Sequence, residues 1–125
     1  MKETILLFNA NNKAVNLKIQ KALFPLKIRL KKVDKKNYNQ PLGYLVGIDK
    51  LSPAEGNDNG DELEDMMMIF AFLSDAKLNQ VLAALRKCGA GPFPYKAILT
   101  PTNQFWSARQ CFEEVKKEHE TMHQN

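Results

Sequence analysis

Met66-Met67-Met68-Ile69-Phe70-Ala71-Phe72 is apolar at every position. A strand with one wet face alternates apolar and polar side chains, whereas a strand covered on both faces does not. The run therefore reads as a central strand buried on both sides. Ile5-Leu6-Leu7-Phe8, which stops at the polar break Asn9-Ala10-Asn11-Asn12, reads the same way.

Working outward, the segments between and beyond these strands carry helical or edge-strand patterns. Val15, Ile19, Ala22 and Leu23 make a helical stripe that the preceding asparagines can cap and that Phe24-Pro25 ends. Lys27-Ile28-Arg29-Leu30-Lys31-Lys32-Val33 begins as a charged–apolar alternation, which predicts a half-buried strand at a sheet edge. Pro41 and the glycines near it suggest a short helix over about 40–46. Residues 52–65, rich in turn formers and acids, predict a mobile loop. After the all-apolar run, Ser74 or Asp75 caps a helix with the stripe Leu78, Val81, Leu82, Leu85, closed by Cys88-Gly89. Gly91-Pro92-Phe93-Pro94 is a rigid connector, and residues 95–100 form the last strand. Pro101-Thr102-Asn103 then leads into a final helix running to about His119, with residues 120–125 as a frayed end.

Strands that alternate with helices argue for an α/β layered fold in one domain, 1–125. Two four-stranded architectures fit the order. One is a ferredoxin-like split βαβ with a C-terminal helix, which leaves a sheet face open. The other is a small three-layer sandwich with a mostly parallel sheet of order 2-1-3-4. Consecutive apolar positions in both central strands favour the three-layer sheet; one solvent-exposed face on the third strand would reverse that preference.

A chain of 125 residues with 44% hydrophobic and 26% charged composition has the size and balance of one ordinary domain. No stretch reaches the roughly 18 apolar residues of a membrane span. The opening Met1-Lys2-Glu3-Thr4 passes directly into a strand, so no secretory leader is expected and the location reads as cytoplasmic. Cys88 and Cys111 are too few for a disulfide framework. The net charge of +4 conceals segregation: cations crowd 27–36 and acids crowd 55–65.

Four patterns could carry chemistry. His119-Glu120-Thr121-Met122-His123 matches H-E-x-x-H, but it occupies the chain end and nothing follows to supply a third zinc ligand. Glu55-Gly56-Asn57-Asp58-Asn59-Gly60 faintly resembles a calcium loop, yet it begins with Glu and has Met66 where the bidentate Glu belongs. No metal and no cofactor is therefore expected. Lys27, Arg29, Lys31 and Lys32 could meet phosphates, although no nucleic-acid-binding motif accompanies them. The most distinctive segment is the strand, polar turn and helix start around 95–106. Ligands of open α/β sheets bind beyond strand carboxyl ends, which makes Lys96, Thr100, Thr102, Asn103 and Trp106 candidate contacts. The structural alternative is that Thr102 or Asn103 only caps the last helix and Trp106 only anchors it.

At these residues the chain resembles a family. Lys96-Ala97-x-Leu99-Thr100-Pro101-x-Asn103-x-x-Trp106, with Glu113-Glu114 and Glu118-His119 after it, is similar to small uncharacterised bacterial proteins from anaerobic Gram-positive lineages, catalogued as a domain of unknown function. Pro41-Leu42-Gly43-Tyr44-Leu45 and the helix end at 82–89 look like it as well. The resemblance implies a bacterial cytoplasmic setting and carries no activity, cofactor or partner. The expected function is a non-catalytic binding or regulatory domain with its site at the 100–106 turn. Membrane partners are not expected, and self-association into a homodimer stays open. One alternative is a small anion-binding sensor or enzyme using the same turn. The other is a nucleic-acid-associated protein using 27–36.

Overall fold

In the computed structural model, which describes residues 2–122, the all-apolar run forms β3 (Met67–Ala71) and the N-terminal run forms β1 (Thr4–Phe8). Both strands are buried at every residue, so both faces of the sheet are covered. The two strands pair with each other, Thr4 opposite Ala71 and Phe8 opposite Met67. The pleat then sorts their side chains into two cores. Leu6, Phe8, Met67, Ile69 and Ala71 pack with Leu42, Leu45, Cys111 and Phe112. Ile5, Leu7, Met68 and Phe70 pack with Ile19, Leu23, Val81 and Leu85.

The elements that supply those partners make the outer layers. α1 (Lys13–Leu23) and α3 (Asp75–Lys87) cover one face, and α2 (Leu42–Leu45) and α4 (Ala108–Met122) cover the other. Asn12 caps α1 by accepting from the Val15 N–H, and Ser74 caps α3 by accepting from the Lys77 N–H. The result is the three-layer sandwich, and the ferredoxin-like alternative does not occur.

β2 (Arg29–Lys32) and β4 (Tyr95–Ile98) are the edges of a sheet ordered β2-β1-β3-β4. β1 and β2 are parallel, β3 and β4 are parallel, and the central pair is antiparallel. The chain dictates that reversal. β2 ends beside Leu7 and β3 begins beside Phe8, so the connection through α2 and the acidic loop returns to the end of the sheet it left. Consequently β1 and β2 have their carboxyl ends at one end of the molecule, and β3 and β4 have theirs at the other.

Loop 52–65 has no regular element but is tied to the body at several points. Gln40 grips Ala54 through both its amide groups, and the Asp58 N–H donates to the Lys36 carbonyl at 2.7 Å. Arg109 makes two bonds of 2.7 Å to the Asp58 carboxylate. Tyr38 donates its hydroxyl to Glu62 at 2.6 Å, and Leu63 is buried in the core beneath.

The last segment departs from the sequence expectation. β4 stops at Ile98, residues Asn103–Phe105 make one 3-10 turn, and Trp106 is extended with ψ 145. α4 starts only at Ala108, where the Ser107 hydroxyl accepts from the Gln110 N–H. Neither Thr102 nor Asn103 caps that helix, because Asn103 is engaged with the end of β4.

A cationic cleft beside the last strand

The 100–106 turn is closed by its own side chains. Asn103, 7% exposed, accepts from the Thr100 N–H and donates to the Ile98 carbonyl, while its own N–H donates to the Thr100 hydroxyl. Those bonds engage the Asn103 amide and the Thr100 N–H and hydroxyl oxygen within the turn. Thr102 is exposed, and Trp106 packs against the core shared by α2 and α4, with its carbonyl accepting from the Leu42 N–H. The turn therefore joins β4, α2 and α4.

Lys96 points elsewhere. Its register partner Met68 belongs to the core under α1 and α3, so Lys96 leans toward α3, away from the core to which Trp106 belongs. There it lines a cleft of about 920 Å³. Leu82, Leu85 and Arg86 of α3 form one wall, and Phe93 between Pro92 and Pro94 forms another. His119 reaches the same cleft from α4, on the opposite side of the sheet, so the cleft runs past the free edge of β4. The His119 ring stands edge-on to Tyr95 with centroids 5.4 Å apart.

The electrostatics of the cleft are one-sided. Lys96 donates to the Phe93 carbonyl, and its pKa is held below the ordinary lysine value by burial first and by the neighbouring Arg86 second. No carboxylate occurs among the described residues that line the cleft. Arg86 and Lys96 thus border an apolar floor, which His119 closes from the side of α4. Of the five turn-site candidates, only Lys96 reaches this cleft. In the sequence Arg86 and Phe93 carry no site signal, and His119 stands at a helix end, in the H-E-x-x-H pattern and in the family resemblance. Arg86 sits in the last turn of a helix, where a cation is ordinary, and the tertiary fold alone turns it toward Lys96.

The basic strand is divided by the pleat. Lys31 donates to the Leu45 carbonyl at 2.8 Å and Arg29 to the Val46 carbonyl at 3.5 Å, so both turn inward onto the end of α2. Burial, then Arg29, holds the Lys31 pKa down. All four cations stay exposed, Lys27 in the left-handed region with φ 56. The calcium-like run has Asp58 engaged by Arg109 and by the Gly60 N–H. His123 of the H-E-x-x-H pattern lies outside the described residues. Cys111 is buried, and burial pushes its thiol up to about 12.

The whole cleft lies on the second half of the chain. Residues 66–122 match a domain of unknown function, DUF3783. The match runs from β3 through α4 and contains every residue that lines the cleft. No curated protein and no solved structure matches the chain. No helix of the described residues is long and apolar enough to cross a membrane.

Proposed function

We propose that the chain is a non-catalytic binding domain whose ligand is an anion with an apolar body, held in the cleft beside β4. The observation that carries this reading is the pairing of Arg86 with Lys96 in a cleft whose described lining has no carboxylate. Lys96 is half-buried with the exposed Arg86 beside it, which disfavours its charge in the empty protein, and a bound anion relieves that cost. Leu82, Leu85 and Phe93 suit an aliphatic or aromatic body attached to the charge. The volume is that of a small-molecule site. The bacterial, cytoplasmic setting implied by the family resemblance belongs to the same proposal.

Thermal unfolding in hexanoate, phenyl phosphate and inorganic phosphate tests it. The two amphipathic anions should raise Tm more than phosphate does, and the Arg86→Met/Lys96→Met double variant should lose the effect. Because Lys96 titrates below the ordinary 10.5, affinity should fall as pH rises through that lowered value. Equal shifts from all three anions, or shifts that survive in the double variant, would sink the reading.

A further inference from the structure

The α1–α3 layer is the basic side of the molecule. Residues 13–27 and 75–88 carry seven cations and one carboxylate, Asp75 at the start of α3, in a chain whose net charge is +4, so the remainder is net −2. Lys13, Leu17, Lys21 and Phe24 follow one another at four, four and three residues, which places them on one stripe along α1 and its continuation. That stripe faces solvent: Leu17 is 53% exposed and Phe24 83%. Beside it, Lys18, Lys21 and Lys87 border a shallow depression between α1 and α3, floored by Ala22 and Ala84. The face therefore combines a ring of cations with two protruding apolar side chains.

Three occupants can be weighed on those features. A second copy related by a two-fold axis would set cations against cations. A nucleic acid would use the lysines but leave Leu17 and Phe24 without a role. An anionic lipid surface uses both: phosphates meet the lysines, and apolar side chains enter the boundary between headgroups and acyl chains. We infer that the α1–α3 face docks peripherally on anionic lipid, with Leu17 and Phe24 inserted and Lys13, Lys18, Lys21 and Lys87 against lipid phosphates. This departs from the sequence expectation of no membrane partner, which concerned spanning segments. It uses a face distinct from the cleft lining except at the end of α3.

Sedimentation of the full chain with vesicles tests it. Vesicles of phosphatidylcholine containing about one third phosphatidylglycerol should bind the chain at least about tenfold more strongly than phosphatidylcholine alone, with the difference lost at about 0.5 M salt. Phe24→Ala, at an exposed position and with an unchanged circular dichroism spectrum, should weaken the binding about fivefold. Lys18→Glu/Lys21→Glu/Lys87→Glu should weaken it by about a hundredfold. Equal binding to both vesicles overturns the inference, as does phosphatidylglycerol binding that ignores Phe24→Ala. So does a single-stranded RNA that binds more tightly than the vesicles and does so independently of Phe24.

Discussion

Asp58 meets Arg109 through two hydrogen bonds of 2.7 Å, and the same guanidinium lies 5.5 Å from the centre of the Tyr38 ring. The Asp58 side chain is only 8% exposed, while Arg109 is 32% exposed. Removing the partner of a buried carboxylate costs more than making the pair gains, so Arg109→Met should destabilise the protein by about 2–3 kcal/mol in urea titrations. The hydrogen bonds from Arg109 hold the Asp58 pKa below its ordinary 3.8. A carboxylate depressed in the folded state stabilises it above the unfolded pKa, and that contribution is lost as pH falls through the folded value. Melting curves against pH should therefore show an acid limb below about pH 4 that Arg109→Met flattens. Asn103→Ala should cost about 2 kcal/mol, since it leaves the Thr100 N–H and the Ile98 carbonyl without their side-chain partner. Asn103 is legible in the sequence as a polar turn residue, whereas Arg109 carries no local signal. That Asn103 serves the end of β4, and that Arg109 serves a loop about 50 residues earlier, depends on contacts no local pattern encodes.

α2 is four residues long and has a glycine inside it. Propensity favours alanine there by about 1 kcal/mol, but a Cβ on Gly43 would collide with the Leu51 side chain and stand 3.2 Å from Gln104 Cβ and from the Gln104 carbonyl oxygen. Leu51 can rotate away, whereas the Gln104 backbone belongs to the turn closed by Asn103. Packing should win, and Gly43→Ala should lower stability by about 1–2 kcal/mol, read as a shift in denaturant midpoint at constant m. The elements with local signals, α1 with Asn12 and α3 with Ser74, begin where the sequence places them. α4 begins later than expected because Ser107, and not Thr102 or Asn103, supplies its cap. The acidic composition of 52–65 suggests a mobile loop, and Tyr38 and Gln40 from the connector before α2 and Arg109 from α4 reach into it.

For the molecule as a whole, two separate cores on opposite faces of β3 make a sharp requirement. Met68 and Ile69 are neighbours in sequence, are 1% and 0% exposed, and belong to different cores. Met68→Ala and Ile69→Ala should each cost about 2–4 kcal/mol, lowering Tm by roughly 10 °C. A sheet with one wet face would make one of the two nearly neutral, so the pair measures the number of layers directly. The charge distribution is also a property of the whole. The acidic loop lies against α4, the α1–α3 layer is cationic, and the cleft beside β4 opens past the sheet edge between α3 and α4.

The layers and the strand order are already written in the residue pattern. Consecutive apolar residues in β1 and β3 leave no face for water; α1 and α3, the helices of the two β-α-β units, cover one face, and α2 and α4 cover the other. The cleft beside β4, by contrast, exists only once the chain is folded. The side chains that matter there, Arg86, Phe93, Lys96 and His119, come from four segments, and each has an ordinary local role in its own segment. They become a site when α3 and α4 close on opposite faces of the sheet, bringing two cations and a histidine together at the free edge of β4.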